Sequence, residues 1–575
     1  MKVKLAKTAG FCMGVKRAMN IVLDAANKKQ GKLYTYGPLV HNPQAVEMLR
    51  QKGVGVLNDS SVSNATVILR AHGIAPEERS KLKGAGNLLC DATCPHVARA
   101  QAIIRKEVKA GATTIIIGDK GHAEVNGLLG HAGGKGFVVE SMEDVANLPE
   151  MDSVIVVAQT TQDRKTFEEI IAKIKEKIPN VKIFDTICDS TNMRQKEVKE
   201  LAGEVDAMVI VGGKNSANTK RLFEISCSTG IPSFHIEDER ELDRLGLEKF
   251  ENIGVMAGAS TPNWVINKVI DRIKFLLKKR ASSLFRFFES IGEFLVESTV
   301  YLSIGAVSMC YASLVFQDIT PSATILSIAF LYVFAVHVFN RYNERLKDEF
   351  SDPARTRFFK DHGKLLIITA VGAALTALYL SYLLGFIPFI FLLFSYLMGM
   401  IYTLRIVPEQ LQPFMKYKRL KDFPGSRDLL VSLAWAWVII VIPYLIKGTN
   451  SLYQTASILV FLLSTVFIRS VVFDIVSIEG DRIVGRETIP ILLGQKRTQS
   501  LLMILAIITG TFMSLSVLFG LVPQLGYFLA ISPILMVAGL YVFQKRRMQA
   551  SKLFESIIDS NFIMTGIIAY LWKTL

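Results

Sequence analysis

Two patterns of hydrophobic and polar positions divide this chain. Up to about residue 290, short β-branched runs alternate with amphipathic stretches of helical period. Ala65–Leu69, Thr113–Gly118, Ser153–Ala158, Ala207–Val211 and Ile253–Ala257 predict strands, and stretches such as His96–Ala110 and Thr166–Ile178 predict helices between them. Strands that alternate with helices imply an α/β unit with parallel sheets. Beyond residue 290, apolar runs of about 20 residues follow one another, the length that crosses a bilayer as a helix. Nine such runs centre near Gly305, Phe330, Leu375, Phe394, Val438, Leu462, Ile508, Ile534 and Ile567. The expected architecture is an α/β domain over 1–280, a basic amphipathic linker over 281–292 and an all-α bundle of nine transmembrane helices over 293–575.

Composition sharpens this division. The 575 residues are 50% hydrophobic and 20% charged, an average that fits neither a typical soluble enzyme nor a purely membrane-embedded protein. The net charge of +15 splits into 42 basic and 34 acidic residues before residue 291, and 24 and 17 after it. Neither half has a long basic block or an aromatic-basic interleave, so no nucleic-acid partner is expected. In the second half, loops after the even-numbered runs carry clusters such as Arg341/Arg345/Lys347, Lys416/Lys418/Arg419/Lys421, Arg482/Arg486/Lys496/Arg497 and Lys545/Arg546/Arg547; the odd-numbered loops contain only Lys447. The positive-inside rule then places the first domain in the cytoplasm of a bacterial cell, with the bundle in its inner membrane. The segment from Asp271 to Ser290 reads equally as a last soluble helix with a solvated linker, or as a helix lying on membrane lipid. In the second case Phe285, Phe287 and Phe288 would sit in the interface and Lys278, Lys279 and Arg280 would face headgroups.

Three of the six cysteines share a setting. Cys12 (GFCMGV), Cys94 (DATCP) and Cys188 (DTICDS) each end a strand-like run in a turn of small or polar residues, 82 and 94 residues apart. This rhythm predicts three similar subdomains, each delivering one cysteine to a shared centre. Three converging thiolates suit an iron–sulfur cluster with one iron left open to substrate, and zinc is the competing metal. Cys90, Cys227 and Cys310 lack such settings and read as structural. His41, His72 and His122 adjoin glycine or proline turns and suggest an anion pocket. Glu124 in the last of these loops is a candidate proton donor. Ser216 and Asn218 begin a predicted helix, and Ser260 precedes another, where they act either as caps or as phosphate ligands.

These segments carry a resemblance. The ordered set GFCMGV, GPLVHNPQAV, AHG, DATCP, GHAEV, AQTTQ, NSANT and GAST makes Met1 to about Leu277 similar to the 4-hydroxy-3-methylbut-2-enyl diphosphate reductases, the IspH or LytB enzymes. The resemblance implies a [4Fe–4S] cluster on Cys12, Cys94 and Cys188. It further implies a diphosphate pocket of His41, His72, His122, Ser216, Asn218 and Ser260, with Thr160 and Glu124 holding and protonating the substrate hydroxyl. A ferredoxin- or flavodoxin-type donor would supply electrons. Ala217 departs from the pattern, since many members have a serine there.

In the second half, two acidic clusters lie at cytoplasmic ends of spans. Asn340, Glu344, Asp348 and Asp352 recur at intervals of four, on one helical face, and Asp474, Glu479 and Asp481 follow the sixth span. The alternative to function is a solvated face beside the membrane. Facing carboxylate sets are what Mg²⁺ needs to hold a diphosphate, with Arg341, Lys418, Arg419 and Arg482 close by in sequence. With nine spans, these residues resemble the UbiA family of membrane prenyltransferases over roughly Phe294 to Leu575. The resemblance implies Mg²⁺ on Asn340, Glu344, Asp348, Asp474 and Asp481, and prenyl transfer from a prenyl diphosphate to an aromatic or lipid acceptor. Glu344 stands where aspartate is usual, and Ser477 where a second aspartate is common. The alternative is an active reductase whose UbiA-like half serves only as a membrane anchor.

Overall fold

The structure is a computed structural model, described here for residues 2–28, 31–278, 283–403, 423–448, 451–545 and 552–575. The chain divides into two compact units, Met1–Ala281 and Ser282–Leu575.

The first unit contains three four-stranded sheets, with every strand pair parallel. One sheet orders Lys2–Leu5, Asn252–Ala257, Ala207–Val211 and Ser233–Ile236, so both ends of the unit build it. A second orders Val54–Leu57, Leu33–Tyr36, Thr66–Leu69 and Leu88–Asp91; the third orders Gly136–Val139, Thr113–Ile117, Val154–Ala158 and Lys182–Ile183. The central strands are continuous apolar runs because helices cover both faces. Val154–Ala158 and Ala207–Val211 are buried at every position. All five predicted strands lie within one residue of observed ones at both ends. The two predicted helices appear as Pro95–Lys109 and Arg164–Lys177.

The second unit is helical, and all nine expected centres fall on helices. Gly305 lies on Val300–Phe316, Phe330 on Ala323–Ser351, Leu375 on Pro353–Leu384 and Phe394 on Phe386–Thr403. Val438 lies within the segment Ser426–Lys447, Leu462 on Leu452–Val476, Ile508 on Gln495–Leu518, Ile534 on Ile531–Lys545 and Ile567 on Lys552–Thr574. Among the described residues six helices are long and apolar enough to cross a membrane, or seven if Phe287–Glu297 and Val300–Phe316, bent by 66°, form one span. Phe386–Met400 is apolar but shorter, and Lys552–Thr574 carries four charged residues, Lys552, Glu555, Asp559 and Lys573. The chain is therefore a multi-pass membrane protein in its second half. Large apolar side chains such as Leu365, Ile368, Leu375, Ile504 and Ile508 are more than half exposed, as lipid-facing positions should be. Small residues set the closest packing: a Cβ on Gly566 would meet Ser308 at 2.6 Å, bringing Lys552–Thr574 hard against Val300–Phe316.

Three readings change in detail. The linker segment is helical from Ser283 to Glu297, with Phe287 and Phe288 exposed; the side chains of Phe285 and Lys278 and all of Lys279 and Arg280 lie outside the described residues. Asp352 does not continue the face of Asn340, Glu344 and Asp348. The helix stops at Ser351 because Pro353 disfavours helical backbone before it, and Asp352 instead caps the next helix by accepting from the Arg355 amide at 3.1 Å. Cys310 is buried, but Cys227 is exposed and so has no place in a core.

Candidate functional site

Every candidate side chain of the first unit lies in a segment that leaves the carboxyl end of a strand, where open α/β sheets bind ligands. Cys12, Cys94 and Cys188 are the N-cap residues of the helices Met13–Asn27, Pro95–Lys109 and Asp189–Ala202. Each comes from a different sheet. Helix N-termini favour negative charge, which suits thiolate ligands. Burial and the charges of the neighbouring cysteines push the Cys94 and Cys188 thiols up, Cys12 acting on both. The three sulfurs are therefore close enough to repel one another as thiolates, and uncompensated thiolates at such spacing call for a cation between them. They are also not drawn within 4.8 Å of one another, the spacing at which His41, His72 and His122 gather. Tetrahedral zinc would hold sulfurs about 4 Å apart, given bonds near 2.3 Å. The wider set fits a cluster better than one ion. The pocket for it is tight: a Cβ on Gly14 would lie 2.4 Å from Cys94 Sγ.

Next to the cysteines stands a triangle of imidazoles. The rings of His41, His72 and His122 have centroids 4.7, 5.5 and 5.6 Å apart. His122 caps Ala123–His131, its Nδ1 accepting from the Glu124 amide at 3.2 Å, which leaves Nε2–H to face a ligand. Burial lowers all three pKa values, His122 to about 4 and His72 well below the usual range, with Arg70 adding positive repulsion on each. A guanidinium beside the triangle disfavours a metal cation and favours an anion. Buried His41 Nε2, His72 Nδ1 and Asn218 Nδ2 have no hydrogen-bond partner within the protein, and such orphaned groups mark where a polar ligand belongs. Ser216 caps Ala217–Ser228, its Oγ accepting from the Thr219 amide at 3.4 Å. Ser260 is not a cap of its helix, which begins at Asn263; its hydroxyl donates to the His41 carbonyl at 3.4 Å and ties two subdomains together. Gly213 belongs to the same junction, since a Cβ there would strike the His41 carbonyl oxygen at 2.5 Å.

Glu124 and Thr160 form the third element. Glu124 is 2% exposed and Thr160 is 7% exposed. The Thr160 amide donates to Glu124 Oε1 at 2.6 Å and its hydroxyl to Oε2 at 2.9 Å. Burial raises the carboxyl pKa to about 7; the two Thr160 bonds oppose this and Asp119 adds to it. The Thr160 carbonyl in turn accepts the Cys188 amide at 2.9 Å, which links the acid to a cysteine loop. The residues that sequence reasoning missed are supporting ones. Arg70 faces the triangle, and Asp119 is held by Gln159 Nε2 at 3.1 Å and Arg221 at 3.5 Å. A lone arginine or aspartate in a loop has no motif to announce it.

In the second unit, a cavity of about 750 Å³ is lined by Asn340, Glu344, Asp348, Asp352, Asp474 and Ser477 among others. Asp481 is buried beside it, its Oδ2 accepting from Ser477 Oγ at 3.1 Å, while Glu479 and Arg482 are not on the lining. Lys418 and Arg419 lie outside the described residues. Arg341 reaches the cavity but is engaged by Glu555 and by the Val296 and Glu297 carbonyls at 2.8 and 3.1 Å. Arg427, Arg486 and Glu555, which the motifs did not point to, share the lining. Enough carboxylates remain on the wall for a hard divalent cation to bind through oxygen.

Comparison with known proteins follows the same division. Residues 3–274 match the model described as LytB protein, and residues 301–561 the model of the UbiA prenyltransferase family. The 4-hydroxy-3-methylbut-2-enyl diphosphate reductase of Geobacter sulfurreducens is 44% identical over 275 residues, 48% of this chain and 97% of that protein. A solved structure of (E)-4-hydroxy-3-methyl-but-2-enyl diphosphate reductase is 41% identical, with a TM-score of 0.40, over 48% of this chain and 99% of that one. For the second half, a solved UbiA homolog from Archaeoglobus fulgidus bound to DMAPP and Mg²⁺ is 16% identical, with a TM-score of 0.34, over 48% of this chain and 98% of that one. The chain belongs to the LytB family through its first half and carries a UbiA prenyltransferase family domain in its second.

Proposed function

We propose that this chain is a bifunctional isoprenoid enzyme, with a reductase in residues 1–280 and a nine-span prenyltransferase in 293–575, joined by the segment 281–292. The first half removes the hydroxyl of 4-hydroxy-3-methylbut-2-enyl diphosphate in the non-mevalonate route to isopentenyl and dimethylallyl diphosphate. Two electrons and two protons enter, one C–O bond breaks and water leaves. The observation that carries this reading is the buried Glu124–Thr160 pair beside three neutral imidazoles and three converging thiols.

A [4Fe–4S] cluster on Cys12, Cys94 and Cys188 would supply one-electron reduction and an open coordination site for the hydroxyl. The chain's own residues do the rest. Thr160 holds Glu124 with two hydrogen bonds, so the carboxyl keeps one orientation as its proton leaves. A pKa near 7 keeps that proton available at neutral pH. The His41, His72 and His122 imidazoles, with Ser216, Asn218 and Ser260, take the diphosphate and fix the distance from it to the reacting carbon. A ferredoxin- or flavodoxin-type protein delivers the electrons. Anaerobically purified chain should be brown and consume the substrate with a chemical reductant; colourless protein that binds zinc in place of iron would refute the assignment.

The second half transfers a prenyl group to an aromatic or lipid acceptor, with Mg²⁺ held by Asn340, Glu344, Asp348, Asp474 and Asp481. The cavity between the two acidic motifs supports this. The bundle lies in the bacterial inner membrane with the reductase in the cytoplasm. Prenyl transfer unchanged in Asp348→Asn would leave this half as an anchor.

A further inference from the structure

The charges on the membrane cavity do not match a wall of carboxylates built for two metal ions. Its described lining carries five carboxylates and five arginines. Three of the arginines serve ion pairs at the end of the bundle: Arg341 and Arg355 with Glu555, and Arg469 with Asp559 at 2.6 Å. The other two face the acidic motifs. Arg427 pairs with Glu344 of the first motif at 3.2 Å and with Asp474 of the second, as well as with its neighbour Asp428 at 3.4 Å. Arg486 donates to the same Glu344 oxygen at 2.6 Å.

A guanidinium thus bridges the two motifs. The two departures noted in the sequence meet here. Glu344 has one methylene more than the usual aspartate, enough reach to meet both arginines. Ser477 lacks the carboxylate that a second metal would use, and its hydroxyl is spent on Asp481 and on the Phe473 carbonyl at 2.9 Å. Each protein-held divalent cation needs carboxylates that no arginine already neutralises. Two of the matched carboxylates, Glu344 and Asp474, are so neutralised. A guanidinium fork fits diphosphate oxygens as well as it fits carboxylate ones, and so can pass from one to the other when a ligand enters.

We propose that this site binds its prenyl diphosphate with a single divalent cation, and that Arg427 supplies the second positive charge by contacting the diphosphate directly. The proposal rests on the reading of this half as a prenyl diphosphate site. It explains how the site works with Ser477 in place of an aspartate.

The test uses the full chain in detergent, geranyl S-thiolodiphosphate as a non-ionising probe, and Mn²⁺ counted by electron paramagnetic resonance. One Mn²⁺ per chain is expected at saturating probe. Arg427→Gln should weaken probe binding about 10-fold or more, the size of a lost charged hydrogen bond, and Arg427→Lys should recover part of it. Two Mn²⁺ per unaltered chain, or unchanged affinity in Arg427→Gln, would overturn the proposal and leave the prenyl diphosphate reading standing. No binding of the probe at any Mn²⁺ concentration would overturn both. Should Arg427→Gln not fold, the count on the unaltered chain decides alone.

Discussion

The Thr160 hydroxyl donates to Glu124 Oε2 at 2.9 Å while the Thr160 amide donates to Oε1 at 2.6 Å, so both oxygens of one buried carboxyl are held by one residue. Burial outweighs both bonds and holds the carboxyl pKa at about 7. Turnover of the reductase half should therefore fall with a one-proton dependence as pH rises through about 7. Glu124→Gln should cost about 10²–10⁴-fold in rate and abolish that dependence, as measured by anaerobic turnover from pH 6 to 9.

The same shift bears on stability. A carboxyl raised from 4.5 to about 7 contributes stability in full below 4.5 and loses it as pH rises through 7. Glu124→Gln should then gain stability relative to the unaltered chain above pH 7, by up to on the order of 3 kcal/mol, and gain none at pH 4. Thermal unfolding of the first unit's near-ultraviolet signal at the two pH values checks this.

His41, His72 and His122 are lowered mainly by burial and are uncharged at neutral pH. An anion among them restores the charged form. Inorganic diphosphate should therefore take up protons on binding at pH 7, and bind more tightly as pH falls toward 6. Titration calorimetry in two buffers of different ionisation enthalpy measures the uptake directly, and His72→Asn should reduce it.

Gly14 packs against a cysteine ligand. A methyl group there would lie 2.4 Å from Cys94 Sγ and 3.1 Å from its Cβ, and neither can retreat without moving the helix that begins at Pro95. Gly14→Ala should lower the iron content of anaerobically purified chain well below the value of about four per chain that a full cluster gives. The Gly31→Ala control, where nothing lies within 4 Å, should not change iron content.

Arg355 connects three helix segments of the bundle through Glu297 at 3.1 Å, Glu555, and Asp352 at 3.3 Å. Glu297 and Glu555 are almost wholly buried. Arg355→Met leaves their charges uncompensated and should cost about 3–5 kcal/mol, seen as a lower unfolding temperature of the full chain in detergent. Combining it with Glu297→Gln and Glu555→Gln should recover much of the loss.

The cysteines and histidines could be read from sequence because each stands in a turn whose glycine, proline or small polar neighbours have no packing reason to be there. Arg70 and Arg427 could not. Their roles come from what they face across the fold, and a single arginine in a loop leaves no local pattern. The same holds for Ser260, which lies before a helix as its setting indicates but is occupied with the His41 carbonyl rather than with a cap. Asp352 shows the opposite error, since spacing alone continued a helical face through a residue that the following proline turns into a cap.

Local periodicity by itself determined the division into an α/β half and an apolar helical half, the positions of the central strands, and the helices that carry the nine apolar centres. Hydrophobic burial sets these patterns over a few turns or pleats, and they survive in any register. Tertiary structure alone decided which side chains meet. Lys2–Leu5 pairs with Asn252–Ala257, some 250 positions away, and that pairing puts Cys12 under the Ala259 carbonyl at 3.1 Å and Ser260 against His41. It likewise brought Arg427 onto two acidic motifs separated by about 130 residues. Strand pairing and ion pairing over such distances depend on burial and register summed across the whole unit, which no stretch of sequence contains.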